Sequence, residues 1–294
     1  MGHPQLDSDV GTVPSRVGLI AGGGRFPILV AEDLRRRGIE VICVGLRHQV
    51  DPRLREIVNA FYYLSGARLG VLFRFLHRHN VKQATWAGYI RKDDIFRPWR
   101  ILTLLPDLRT LRFFFFKVAD RQNQTLLAAL ADEFESEGIH VVHSTKYSPQ
   151  LLTQPGVLGR CRPKKSHWVD IKFGWRVAKR MADLDVGQSV VVCEKSTLAV
   201  EGIEGTDENI LRAGKFCRRR GFTVIKVAKE EHDMRFDIPS VGPDTILAMD
   251  KAGGAVLSLE AGKTLIIDRD EVTKLADRHG IVVIALTDPE EQEP

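Results

Sequence analysis

Charged and turn-forming residues crowd one stretch of this chain. Lys226, Lys229, His232 and Asp233 lead into Arg235-Phe236-Asp237-Ile238-Pro239-Ser240-Val241-Gly242, and upstream lies Glu201-Gly202-Ile203-Glu204-Gly205-Thr206-Asp207. Alternating carboxylates and cations with so little apolar filler make a poor core and suit a charged ligand. Asp237 stands just before Ile-Pro, where proline disfavours helix, so it is read as a carboxylate presented from an extended segment or loop. It is the candidate catalytic residue. The plainer alternative is a loop in which Asp237 and Arg235 pair in solvent.

The elements that must position these residues follow from pattern. Arg16–Ala21 reads as a buried strand, Gly22-Gly23-Gly24 as a turn, Phe26–Leu34 as a helix closed by Gly38, and Val41–Gly45 as a second strand. This order predicts a parallel sheet. The glycines let backbone N–H groups approach an anion at a helix N-terminus, and a purely structural turn explains them equally well. The dinucleotide fingerprint is broken. Pro27 stands at the third glycine position, and the second strand ends in Gly45-Leu46-Arg47 with no acid for a ribose, which disfavours a nicotinamide oxidoreductase. Leu69–His77 predicts a helix, and Val81–Gly88 a strand running into a turn at Ala87-Gly88. Both glycine turns would then lie beyond the carboxyl ends of the strands, where such sheets bind ligands. Phe113–Phe116 beside arginines suits either a core helix with snorkelling arginines or a basic surface for lipid. Asn123–Glu135 reads as a helix and Ile139–Val142 as a strand.

Prolines and glycines from Ser144 to Pro163 mark a linker. The expected organisation is α/β with two domains. A Rossmann-like parallel sheet spans residues 16–145, a linker 146–165, and a mixed α/β catalytic domain 166–288. In the second domain, a helix ending at Leu184 precedes strands at Ser189–Glu194 and Thr197–Val200. Thr206 or Asp207 could cap the helix over Glu208–Gly214. Phe222–Lys229 alternates as a strand, and Thr245–Lys251 begins a helix. Strands at Ala255–Leu259, Thr264–Ile267 and Ile281–Leu286 and a helix at Arg269–Arg278 complete the domain.

Composition sets the outer bounds. The length of 294 residues suggests two domains, with a single large α/β domain as the competitor, and a chain 44% hydrophobic and 28% charged holds ample apolar material for a core. A net charge of +5 fits an anionic substrate, a phosphate-rich membrane surface or nucleic acid. Aromatic and basic residues interleave on no recognisable nucleic-acid module, which argues against the last. The four cysteines form no CxxC pair, so a zinc site is not expected. No apolar run reaches the roughly 20 residues of a membrane-spanning helix, and Met1–Ser15 lacks a signal core, so a cytoplasmic protein is expected.

Ordered segments across the chain carry a resemblance. They are Gly18-Leu19-Ile20-Ala21-Gly22-Gly23-Gly24-x-x-Pro27, Ala87-Gly88-x-Ile90-Arg91-Lys92 and Asp185-Val186-Gly187-Gln188-Ser189-Val190-Val191-Val192. They continue as Leu198-Ala199-Val200-Glu201-Gly202-x-x-Gly205-Thr206-Asp207 and Lys229-x-x-x-Asp233-Met234-Arg235-Phe236-Asp237-x-Pro239-x-Val241-Gly242. From about Val17 to Leu286 the chain resembles the LpxI family of UDP-2,3-diacylglucosamine pyrophosphatases. It departs from the family pattern at Glu230-Glu231-His232, at Arg91-Lys92 and at Asp120-Arg121-Gln122-Asn123-Gln124.

The resemblance implies two α/β domains with substrate between them. It implies magnesium-dependent hydrolysis of UDP-2,3-diacylglucosamine to UMP and 2,3-diacylglucosamine 1-phosphate, a step of lipid A synthesis, with Asp237 as the essential residue. Asp237, Asp207 and Glu201 are then the candidate ligands for Mg2+, or Asp237 orients the attacking water. Lys226, Lys229 and Arg235 would balance the diphosphate. Gly22, Gly23, Gly24, Ala87, Gly88 and Thr206 complete the expected substrate contacts. Peripheral contact with the inner membrane, for which Phe113–Phe116 is a candidate, and a homodimer are compatible with this reading. A non-hydrolytic nucleotide-sugar or lipid sensor of the same fold is the alternative.

Overall fold

The computed structural model describes residues 14–66, 68–89, 106–116, 123–217, 221–229, 235 and 238–290. The first domain runs β1 (Arg16–Ala21), α1 (Phe26–Arg36), β2 (Glu40–Leu46), α2 (Leu54–Ile57), β3 (Ala60–Leu64), α3 (Leu69–Arg78), β4 (Gln83–Ala87), α4 (Leu108–Phe116), α5 (Asn123–Ser136) and β5 (His140–Val141). Its strands are apolar almost throughout, as parallel strands covered on both faces must be. They pair in the order β3-β2-β1-β4-β5, all parallel. Ile28, Val30, Ala31 and Leu34 of α1 cover one face, while Leu72, Phe73 and Leu76 of α3 and Phe134 of α5 cover the other.

The chain leaves β1 towards β2 and β3, then returns to β4 on the other side of β1. That reversal lies at the carboxyl ends of β1 and β4, the position at which such sheets carry a ligand crevice, and there Ala21 lies opposite Ala87. The edge strand β3 and the short α2 have no clear signal in the sequence. Ala60-Phe61-Tyr62-Tyr63-Leu64 is only half-buried, and its pairing with β2 makes it a strand.

The inner face of α4 is clamped. Asp107 accepts from the Thr110 N–H and hydroxyl, both at 2.8 Å, and from the Gly70 N–H at 2.8 Å. Arg109 lies 4.4 Å over the Phe73 ring and bonds Glu133 and Glu137. Phe113 is buried, whereas Leu108 and Phe115 are 81% and 79% exposed. The phenylalanine run is therefore divided between core and surface.

The second domain comprises β6 (Gly156–Leu158), α6 (Lys165–Asp183), β7 (Ser189–Cys193), β8 (Ser196–Val200), α7 (Thr206–Gly214), β9 (Phe222–Lys226), β10 (Ser240–Val241), α8 (Pro243–Ala252), β11 (Gly254–Glu260), β12 (Leu265–Ile266), α9 (Arg269–His279) and β13 (Val282–Leu286). Six strands form a mixed sheet in the order β6-β13-β11-β9-β7-β8, and β10 pairs with β12 separately. β9, β11 and β13 run parallel, while β6, β7 and β8 meet their neighbours antiparallel. Trp168, Ile171, Trp175 and Ala178 give α6 an apolar stripe at helical spacing that packs on one face, and α7, α8 and α9 cover the other. The β7–β8 turn places Glu194 and Lys195 in left-handed conformation, and their N–H groups donate to the buried carboxylate of Asp170 on α6.

The connection between domains is packed at both ends. The Tyr147 hydroxyl donates to Gln83, and Gln150 donates to Asp33, each at 2.6 Å. The Thr153 N–H then donates to Thr264 and its hydroxyl to the Glu260 carbonyl. Among the described residues, no helix is long and apolar enough to cross a membrane.

Gly88 fixes the crevice. Its φ is +88°, and an added Cβ would lie 2.4 Å from the Gly23 carbonyl oxygen and 2.8 Å from Pro27 Cγ. Gly88→Ala is expected to lower stability by at least about 2 kcal/mol, read as a lower urea midpoint at unchanged m. Gly38 also has positive φ but nothing within 4 Å, so Gly38→Ala should cost clearly less.

Candidate functional site

The charged cluster assembles at the carboxyl edge of the second sheet. Lys226 is the last residue of β9, in register with Ser189 of β7 and Leu259 of β11. Glu201 follows β8 and stays on this edge because its N–H donates to the Ser189 carbonyl at 2.9 Å. Gly187 makes room for that passage, since a Cβ there would lie 2.1 Å from the Glu201 carbonyl oxygen. Thr206 opens α7 directly above.

Lys226 is 5% exposed, and its ammonium donates to the Thr206 hydroxyl. That hydroxyl donates in turn to Glu201 Oε1 at 3.1 Å. Thr206 is therefore the bridge between a buried cation and a carboxylate, and does not cap α7. The cap position falls to Gly205, at φ +86°, which carries no side chain to bond the helix. Glu201 Oε2 is buried and makes no hydrogen bond among the described residues.

Asp207 sits one residue further along α7. Its Oδ1 accepts from the Thr245 hydroxyl at 2.8 Å. Burial raises its carboxyl above the ordinary carboxylate value, and the negative charges of Asp244 and Glu201 add to that. The bond from Thr245 and the Lys226 ammonium act in the opposite direction. Fully buried Asn209 braces the helix from below by donating to the Ser189 hydroxyl at 3.3 Å.

Lys229 follows β9 and is half-buried. The backbone leading to it is held by Glu260, which accepts from the Ala228 N–H at 2.8 Å and from Lys179 and Lys263. Arg235 is half-buried as well. Asp237 and Asp233 lie outside the described residues.

The glycine turns of the first domain meet each other rather than standing open. Gly22 N–H donates to the Ala87 carbonyl and Gly23 N–H to the Tyr89 carbonyl, both at 2.8 Å. Two of the three glycine N–H groups are thus already occupied. Next in sequence, Arg25 reaches across to the second domain and bonds Asp268 at 2.7–2.8 Å. Asp268 ends the segment after β12, whose Leu265 and Ile267 N–H groups donate to the Pro239 and Val241 carbonyls. From Val241 of β10 the chain passes through Gly242 into α8, where Thr245 holds Asp207. A continuous set of contacts therefore joins the β1/β4 crevice to the acidic cluster.

Thr245, Glu260 and Asn209 have no signal in local sequence pattern, because their roles arise only when separate elements meet. The groove along α6 lined by Phe173, Arg176, Val177 and Arg180 shares no residue with the cluster.

Known protein families match both parts of the chain. The LpxI N-terminal domain model matches residues 16–151, and the LpxI C-terminal domain model matches residues 154–284. UDP-2,3-diacylglucosamine pyrophosphatase LpxI of Caulobacter vibrioides is 32% identical over 287 residues, 94% of this chain and 99% of that protein. The biotin carboxylase domain of 2-oxoglutarate carboxylase from Hydrogenobacter thermophilus aligns over 70% of this chain and 41% of its own, at 12% identity and a TM-score of 0.28, a similarity too low to bear on fold or function. Both domain matches, and a relative matched along nearly its whole length, show that the chain belongs to the LpxI family.

Proposed function

We propose that this protein hydrolyses the pyrophosphate bond of UDP-2,3-diacylglucosamine, releasing UMP and 2,3-diacylglucosamine 1-phosphate for lipid A synthesis. The observation that carries the reading is the buried Lys226–Thr206–Glu201 chain beside Asp207, set at a sheet edge within a full-length family match. Water adds to one phosphorus as the bridging P–O bond breaks, and charge builds on the phosphoryl oxygens. Lys226 is a fixed, buried cation, and its charge acts more strongly there than in bulk water. Thr206 holds that ammonium and orients Glu201. Lys229 and Arg235 add positive charge where the segment carrying Asp237 leaves β9.

The donor set fits magnesium. Glu201 offers a buried oxygen without a partner among the described residues, and Asp207 a carboxylate held through one oxygen by Thr245. Magnesium binds through one or two carboxylates plus phosphate oxygens. Glu201 and Asp207, with Asp237, would hold it, and when bound it supplies Lewis-acid neutralisation of the phosphoryl oxygens. Asp237 either shares the metal or aligns the water. The outer face of α4, with Leu108, Leu111 and Phe115 exposed beside Arg112, is where we place contact with the membrane that holds the substrate.

Purified protein with UDP-2,3-diacylglucosamine and Mg2+ should release UMP, and no UMP under these conditions rejects the reading. EDTA should stop release and added Mg2+ restore it. Asp237→Ala should abolish turnover with the fold intact by circular dichroism. Lys226→Met should lower kcat by about 100-fold or more. Asp207→Asn should raise the magnesium concentration for half-maximal rate by at least about tenfold, and an unchanged magnesium dependence would remove Asp207 from the ligand set.

A further inference from the structure

Tyr89 stands at the mouth of the β1/β4 crevice. It exchanges two backbone hydrogen bonds with Gly23, at 2.8 and 3.2 Å. Its ring lies across the backbone of Gly23 and Gly24. A Cβ on Gly23 would come 2.7 Å from Cε2 and 2.8 Å from Cζ, and one on Gly24 3.1 Å from Cε1. The ring thus fills the space in which side chains at these positions would sit. Even so packed, Tyr89 is 53% exposed.

A tyrosine seated in this way is a rigid aromatic surface at the point where the strand order reverses, the usual ligand position of such sheets. The surface suits a flat heteroaromatic ligand. It does not suit an anion, because the Gly22 and Gly23 N–H groups are already bonded to backbone carbonyls. We propose that Tyr89 is the platform on which the uracil ring of the nucleotide stacks, and that the glycine run is the seat of this ring. The inference rests on the activity proposed above and names its uridine subsite. The neighbouring Arg25–Asp268 pair joins this seat to the segment that pairs with β10, and β10 leads into α8, whose Thr245 holds Asp207.

The test is UMP binding to the full-length protein by calorimetry, with ribose 5-phosphate as a probe lacking the base. Tyr89→Phe should bind UMP within about threefold of wild type, while Tyr89→Leu and Tyr89→Ala should weaken it about tenfold or more, the range for loss of one base–aromatic stack. Ribose 5-phosphate should bind wild type and variants alike. KM for the full substrate should rise in the Leu variant with kcat little changed. A merely structural role would weaken both probes together and lower the melting temperature. Unchanged UMP affinity in Tyr89→Leu, or no UMP binding to wild type, overturns the proposal. If UMP binds through Tyr89 but UDP-2,3-diacylglucosamine is not cleaved, the platform stands and the proposed activity falls.

Discussion

A buried ammonium beside carboxylates is the constraint on which the second domain depends. Moving Lys226 from water into the edge of a closed sheet costs several kcal/mol unless partners replace its hydration. Thr206 supplies a direct partner, Glu201 a charge one hydroxyl away, and Asp207 a further carboxylate nearby. Each of these needs its own support, so the constraint spreads outward. Glu201 needs the Ser189 carbonyl and the space left by Gly187. Asp207 needs Thr245, and thereby α8. Burial holds the Asp207 carboxyl above the ordinary carboxylate value, the charges of Asp244 and Glu201 add to this, and Thr245 and Lys226 act against it.

Among the described residues, the two domains are joined by contacts of different kinds. Leu152 bridges to Leu265, Thr153 joins the turn after β11, and Arg25 pairs with Asp268. The first two belong to the connecting chain itself, where backbone bonds fix the domain edges. The third is an ion pair whose members are 43% and 23% exposed, and pairs of this kind are worth little alone. Its position gives it weight. Arg25 opens α1 at the crevice, and Asp268, in left-handed conformation, ends the segment that carries Pro239 to Gly242 by backbone pairing.

Much of this was legible in the sequence because parallel strands must be apolar on both faces. Runs such as Val17–Ala21, Val190–Cys193 and Val282–Leu286 announce themselves, and the glycine turns mark their ends. The charged segments were legible for the opposite reason, as stretches unable to form a core. β3 was not legible, since a half-buried edge strand of Phe and Tyr shows no strict period. The sequence leaves Thr206 open between a helix cap and a site residue because the signal for a cap is local, whereas the cation that claims its hydroxyl arrives from β9, twenty residues later. Thr245, Glu260 and Asp170 are ordinary polar residues at element ends, and only tertiary packing makes them anchors.

The broken dinucleotide fingerprint can now be read physically. In the intact pattern, glycine N–H groups face a diphosphate at a helix N-terminus. Here Pro27 packs against Gly88, the Gly22 N–H bonds the last residue of β4, and the Gly23 N–H bonds Tyr89 just beyond it. The first domain keeps the strand reversal of such a sheet while two of its glycine N–H groups are spent on backbone carbonyls. Phosphate chemistry needs cations and hard oxygen donors, and those are gathered in the second domain at Lys226, Glu201 and Asp207. Under the activity proposed above, a substrate with a nucleoside at one end and a diphosphate in its middle would lie across both domains, which the Arg25–Asp268 pair ties together beside the glycine turn.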